Sequence, residues 1–177
     1  MLSEQGKRNI EQAFQRAARG TVVRTSADVC DIALATDPQP DPRHGQLVLI
    51  TVSSFAFRLI TIFQVRDTPE IRSYYLADTD QRGIDESFHE VANLCCGALN
   101  REFSRSFAHL AMSTPYTLDA RCISYLAQLQ PQLLSHYLIT INGSVQLRAT
   151  LCMCCTAPVD IQLNAAEVEQ TGELELF

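Results

Sequence analysis

Between Gly83 and Phe103 the chain reads GIDESFHEVANLCCGALNREF, and no other stretch limits the fold as tightly. At about 100° per residue, Ile84, Phe88, Val91, Ala92, Cys95, Ala98 and Leu99 fall on one wide stripe of a helix. Glu86, Glu90, Asn93, Gly97, Asn100 and Ser104 fall on the opposite side. A stripe that broad has to be buried against a second layer, which the rest of the chain must supply. The polar side is less ordinary. A solvated face normally carries long charged side chains, often in opposite-sign pairs four residues apart. Here a carboxylate is followed by an amide, a glycine and a second amide. Glycine inside a helix costs up to ~1 kcal/mol relative to alanine, so Gly97 asks for a reason. On the polar side it leaves a flat spot where another molecule can approach the backbone. Glu90 and Asn93 border that spot and project together, because i and i+3 are neighbours on a helix. Two accounts fit: a docking face that aims a carboxylate and a carboxamide at a partner, or a solvated face with an incidental glycine. On these residues alone the second is the plainer, since short polar motifs recur by chance.

The chain has 177 residues, enough for one domain with a real core. Its 46% hydrophobic and 19% charged residues are those of a soluble globular protein. A net charge of -6, with no basic patch, argues against nucleic acid and against an anionic membrane surface as partners. No run is long and apolar enough to span a bilayer, and MLSEQGKRNIEQAF lacks the apolar centre of a secretory signal. The cysteines are Cys30, Cys95, Cys96, Cys122, Cys152, Cys154 and Cys155, an odd seven. They suit reduced, buried thiols in a cytoplasmic protein better than a disulfide framework. Their spacing matches no zinc pattern. On a strand Cys152 and Cys154 share a face that Cys155 does not, so no metal site is expected.

In chain order, Ser3 to about Arg19 reads as a helix with Ile10, Ala13, Phe14 and Ala17 inward and Gly20 as its stop. Thr21 to Ser26 reads as a β-branched continuation, and DPQPDPRHG, Asp37 to Gly45, as a loop. Gln46 to Val52 and Phe55 to Val65 read as strands, with a hairpin or a bulge at Ser53-Ser54. Ile71 to Ala77 reads as a third strand, with one ring of Tyr74 and Tyr75 in and the other out. Asp78 to Asp80 reads as an acidic turn, with Thr79 or Asp80 as the cap of the central helix; complementing the helix dipole explains its charge more simply than a cation site. Phe107 to Ser113 reads as a strand. Leu118 to Leu129 reads as a helix in which Ile123, Leu126 and Leu129 recur, closed by Pro131. Gln132 to Ile141 and Ser144 to Cys155 flank Asn142-Gly143, the strongest short hairpin signal in the chain. The expected architecture is α+β, helices on a mainly antiparallel sheet. Residues 1–158 form the domain, and 159–177 an acidic tail or added element.

With these residues in view, HEVANLCCGALN, His89 to Asn100, resembles the signature helix of the CheC/CheX/FliY chemotaxis phosphatases: Glu-x-x-Asn, a glycine four residues on, and a polar residue three later. It is nearest the CheX-like branch, and the following LAMSTPYTL resembles that branch's strand and Thr-Pro turn. The likeness covers about Gln46 to Cys155 in element order and is residue-specific near 86–118. Cys95-Cys96 departs from the aliphatic residues usual there, and the 37–45 loop and the tail have no counterpart. The resemblance implies a phosphatase for the phosphoryl-aspartate of a phosphorylated CheY-type receiver domain. Asn93 would orient the attacking water and Glu90 would pair with a lysine of the regulator; these are the expected catalytic residues. Glu86, Gly97 and Asn100 would border the docking surface. Mg2+ would be held by the receiver's own carboxylates, with no cofactor bound by this chain. The resemblance also implies a homodimer.

Two further readings remain open. A catalytically silent CheX-like adaptor, or dimeric interaction domain, would bind a receiver through the same face. A purely structural or dimerisation domain would bury Asn93 or hydrogen-bond it internally, and would pack Gly97 against another helix. A Cys–His nucleophile, such as Cys122 with His136, has no local signature to support it.

Overall fold

The computed structural model describes residues 2–35, 45–76 and 83–159. Helix α1 spans Glu4–Thr21, started by Ser3, whose hydroxyl accepts from Gly6 N. It is followed by β1 (Cys30–Leu34), β2 (Gln46–Ser53), β3 (Phe57–Val65), α2 (Pro69–Tyr75) and α3 (Ile84–Phe103). Then come β4 (Ala111–Met112), β5 (Tyr116–Asp119), a 3-10 helix over Ala120–Leu129, β6 (Leu133–Ile141) and β7 (Val145–Cys155). The strands form one antiparallel sheet in the order β1-β6-β7-β3-β2-β4, with β5 also on β2. The architecture is α+β.

Strand alternation divides the sheet into two faces. Val48, Ile50, Val52, Leu59, Phe63, Tyr137, Ile139, Leu147, Leu151 and Met153 point to one side. There they meet Phe14 of α1 and Phe88, Cys95, Leu99 and Phe103 of α3 in a single core. Phe14 stacks at 5.0 Å from Tyr137, and Phe57 meets Phe103 edge-on at 6.2 Å. The other side carries Leu47, Leu49, Ile60, Ile62 and Cys152, roofed by Ala120, Ile123 and Leu126 of the 3-10 helix.

The hairpin expected at Asn142-Gly143 is present: both residues have positive φ, 51° and 71°, and Ile141 pairs with Val145. Ser53-Ser54 opens a β2–β3 hairpin rather than a bulge. Gly45, at φ 94°, is obligatory, since a Cβ there would stand 2.2 Å from the Val65 carbonyl oxygen.

Several expectations are corrected. Ile71 to Tyr75 is helical and not a strand, and Ala77 lies outside the described residues; Thr68 caps the helix with Pro69 in its first turn, and Ile71 and Tyr75, four apart, are its buried residues. Tyr75 is fixed there by donating to Val22 O at 2.7 Å and by packing 4.9 Å from Phe88. The cap of α3 is Gly83, without a side-chain hydrogen bond, not Thr79 or Asp80. Beyond Thr21, which closes α1, the segment through Ser26 turns rather than extending, and Phe107 to Ser113 contributes only the two residues of β4. Leu118 to Leu129 is split: Leu118 and Asp119 finish β5, and the remainder winds as a 3-10 helix. Its buried residues recur at strict threes, Ala120, Ile123 and Leu126, the period at which 3-10 side chains eclipse. The Asp78–Asp80 turn and most of the 37–45 loop lie outside the described residues. So does the tail from 160 onward; Val159, its first residue, bridges to Leu2.

Candidate functional site

Helix α3 is held from below and from one side. Its apolar stripe is buried as expected except for Ala98, which is half-buried, and Cys96 and Phe103 join it. Beside it lies α1, joined through an Arg16–Glu102 ion pair. On the far side His89 Nε2 shares a 2.8 Å hydrogen bond with Thr117 Oγ1 of β5. Clamped along both flanks and its base, the helix turns one narrow strip to solvent.

That strip carries the predicted residues. Glu86, Glu90 and Asn93 are exposed, and Gly97 is half-buried beside them. The structure brings Glu90 and Asn93 together one turn apart, on the same side as Gly97. A Cβ built on Gly97 would meet only Arg101 Nη1, at 3.7 Å, which is ordinary contact. Nothing within the described molecule requires a glycine there. The purely structural reading needed an Asn93 buried or hydrogen-bonded internally and a Gly97 packed against another helix, and among the described residues neither is found. Asn100 sits at the strip's edge: half-buried, its Oδ1 shielded and without a hydrogen-bond partner.

Three features of this surface went unnoticed in the sequence. Leu94 is 51% exposed, an apolar side chain directly after Asn93. It lines a groove of about 230 Å³ between α3 and the end of α1, with Thr21, Val23, Arg24, Ser87 and Glu90. Arg101 lies beside Gly97 and adds a cation to a strip whose expected charged groups are carboxylates. Leu94 was legible, as an apolar residue four after Glu90 on the polar side. The α1 wall was not, because it depends on how two helices pack.

The chemistry this surface can perform follows from what it holds. A neutral carboxamide can orient a water molecule and a carboxylate can pair with a cation. The thiols one turn away are poor nucleophiles: burial pushes Cys95 and Cys96 up to about 12, so they stay protonated at neutral pH. Cys122 has no bond to His136 among the described residues, and His136 Nδ1 instead shares a 2.8 Å hydrogen bond with Thr150. All seven cysteines are free thiols. Cys152 and Cys154 do share one face of β7, while Cys155 packs on the other. Among the described residues no cluster of three or more His, Cys, Asp or Glu is placed to hold a metal ion, and no helix is long and apolar enough to cross a membrane.

No family model matches the sequence, and no curated protein matches it. Solved structures do match in fold. Chemotaxis protein CheX from Vibrio vulnificus is similar with a TM-score of 0.54 at 12% identity, over 82% of this chain and 99% of that one. A CheC-like superfamily protein from Shewanella sp. PV-4 gives 0.55 at 11%, over 82% and 97%. A structure of a CheX–CheY–BeF3–Mg2+ complex from Borrelia burgdorferi gives 0.52 at 10%, over 81% and 97%. The chain therefore has the fold of the CheX and CheC-like chemotaxis proteins.

Proposed function

We propose that this chain is a phosphatase for the phosphoryl-aspartate of a CheY-type receiver domain. The observation that carries the reading is the exposure of Glu90 and Asn93, one turn apart, on the outward strip of α3 in a fold shared with CheX proteins. One of those proteins was captured in a complex with CheY, BeF3 and Mg2+, which supports a receiver as the partner.

The proposed division of labour suits phosphoryl transfer. That reaction asks little covalent chemistry of the protein and much positioning. Asn93 enters the receiver's site and orients the water for in-line attack; being neutral, it does not repel the phosphoryl oxygens. Glu90 pairs with a receiver lysine and fixes the approach. Gly97 lets the partner close on the helix backbone, with Glu86 and Asn100 at the margins. Mg2+ is supplied on the receiver's carboxylates, so the magnesium belongs to the complex and not to this chain. We place the protein in the cytoplasm, as a homodimer.

Leu94 and its groove favour a second reading, since an exposed apolar anchor serves binding whether or not catalysis follows. A silent adaptor would use the same strip. The two separate in one assay: decay of a phosphorylated receiver, alone, with the wild-type chain and with Asn93→Ala. Acceleration lost in the variant, with binding retained, is the phosphatase outcome. Binding by both proteins without acceleration by either would leave the adaptor.

A further inference from the structure

On the opposite face of the sheet from α3, a cavity of about 330 Å³ opens beside the β2–β3 turn. Ser53, Arg58 and Cys154 are direct cross-strand partners on β2, β3 and β7, so they project in a row from that face into it. Leu129, at the end of the 3-10 helix, and Phe55, in the turn, form its rim. We infer that this cavity is a binding site for a small amphipathic monoanion: a carboxylate carried on a single ring or a branched aliphatic chain.

The charge is the first argument. The chain has a net charge of -6, yet Arg58 is the only charged residue among the described residues of the cavity wall. Arg58 is exposed and has no ion-pair partner among the described residues. A guanidinium presents a fork of N–H donors that matches a carboxylate. With one cation and no second, the wall suits a single negative charge better than a phosphate dianion.

The rim is the second argument. Phe55 is 97% exposed, but the turn that carries it is braced. Ser54 Oγ accepts from Ala56 N at 3.1 Å and Phe57 N at 3.2 Å, and Ser54 N donates to Phe57 O at 2.9 Å. Thr156 grips the turn from β7's end, its N donating to Ala56 O at 2.8 Å and its hydroxyl to Phe55 O at 2.9 Å. Leu129 is half-exposed opposite, and its carbonyl accepts from the Cys154 thiol at 3.7 Å. A fixed backbone thus holds two apolar side chains in water on either side of an available cation. Small-molecule sites share that pattern: a preformed concavity of ~300 Å³ or more, apolar walls and a few polar groups that orient the ligand. At this size the ligand has one ring or its equivalent.

The test is an NMR titration of the full chain with three probes: phenylacetate, its neutral analogue phenylacetamide, and acetate. Saturable shifts at the amides of Phe55, Ala56, Arg58 and Thr156 are expected with phenylacetate. Binding of the amide should be ~10-fold weaker, the factor that ~1.4 kcal/mol represents, and acetate should not saturate. Arg58→Gln should bring the acid down to the amide's level, and Phe55→Ala should weaken both. Both side chains are exposed, so neither change threatens the fold. Linear shifts up to solubility, shifts centred elsewhere, equal binding of acid and amide, or an Arg58→Gln protein that still prefers the acid would each overturn the assignment. None of these readouts depends on Asn93 or on a receiver.

Discussion

Helices α1 and α3 lie side by side on the same face of the sheet, and their outward faces are finished in opposite ways. Over the first turns of α1, Glu4 to Asn9, the exposed side chains are paired within the helix. Lys7 bonds Glu4 at 2.7 Å, Arg8 donates to Gln5 at 2.8 Å, and Gln5 donates to Asn9 at 2.9 Å. Such pairs at i,i+3 and i,i+4 are how a solvated face stabilises itself. On α3 the outward strip carries an exposed asparagine, an exposed leucine and an interior glycine among its charged residues. The side chains of Glu86 and Asn93 make no hydrogen bond or ion pair among the described residues. Exposure alone does not mark a functional face, since α1 is as exposed. What marks α3 is that it forgoes local stabilisation at Gly97 and exposes Leu94, and among the described residues no close packing at Gly97 accounts for the glycine.

The largest effect expected from breaking this contrast is on rate. Asn93→Ala should reduce acceleration of receiver dephosphorylation by ~10²–10³-fold, the usual loss when one preorganised polar group is removed from a reacting centre. The fold should not change, because Asn93 is exposed. Stopped-flow decay of the phosphoryl-receiver measures the rate, and thermal unfolding checks the fold. A decay rate equal to wild type would remove Asn93 from the mechanism.

Next comes docking. Glu90→Ala should raise the receiver concentration needed for half-maximal rate by roughly tenfold, within the range for losing one partner of an interfacial charge pair. The rate at saturation should survive. The wild-type dependence on added salt should also flatten, since a partly exposed pair is screened over ~10 Å at 0.1 M. If instead the rate at saturation falls while the half-saturating receiver concentration stays the same, Glu90 acts on the chemistry and not on the approach.

Gly97→Ala sharpens the comparison because its two effects should have opposite signs. Alanine is the better helix former by as much as ~1 kcal/mol, and the added Cβ meets only Arg101 Nη1 at 3.7 Å. Denaturant unfolding should therefore show a more stable protein. Receiver binding should weaken, because the methyl group fills the flat spot. A variant that is more stable and binds equally well would show that Gly97 is incidental, as the plainer reading of the sequence held.

How much of this was legible in the sequence depended on which force set each element. The two faces of α3 were readable because the core decides them: Phe88, Cys95 and Leu99 at helical spacing have one place to go. Asn142-Gly143 was readable because positive φ selects those residue types. The helix at Pro69–Tyr75 was misread because Tyr74 and Tyr75 favour strands by propensity, whereas the Thr68-Pro69 start and the Ile71–Tyr75 spacing were the better guides. The 3-10 helix carries its own signature, a period of three, which over so short a run lies close to the α-helical spacing. At the candidate site the polar residues were legible as a pattern on one helix. The groove of Thr21, Val23 and Arg24, and the clasp between His89 and Thr117, join segments distant in sequence. No local periodicity encodes them.

The smallest effect should come from α1. Gln5→Ala removes the acceptor of Arg8 and the donor to Asn9, both on an exposed surface. Each such pair stabilises a helix by ~0.2–0.5 kcal/mol, and alanine's higher helix propensity offsets part of the loss. The net change in unfolding free energy should stay within about 0.5 kcal/mol, and receiver dephosphorylation should be untouched. That second outcome matters more. If the outward face of α1 is finished within itself, disrupting it changes only a marginal amount of local stability. If Gln5→Ala instead slowed the proposed receiver dephosphorylation, the receiver's footprint would extend over α1, and paired side chains would no longer distinguish a solvated face from a docking one.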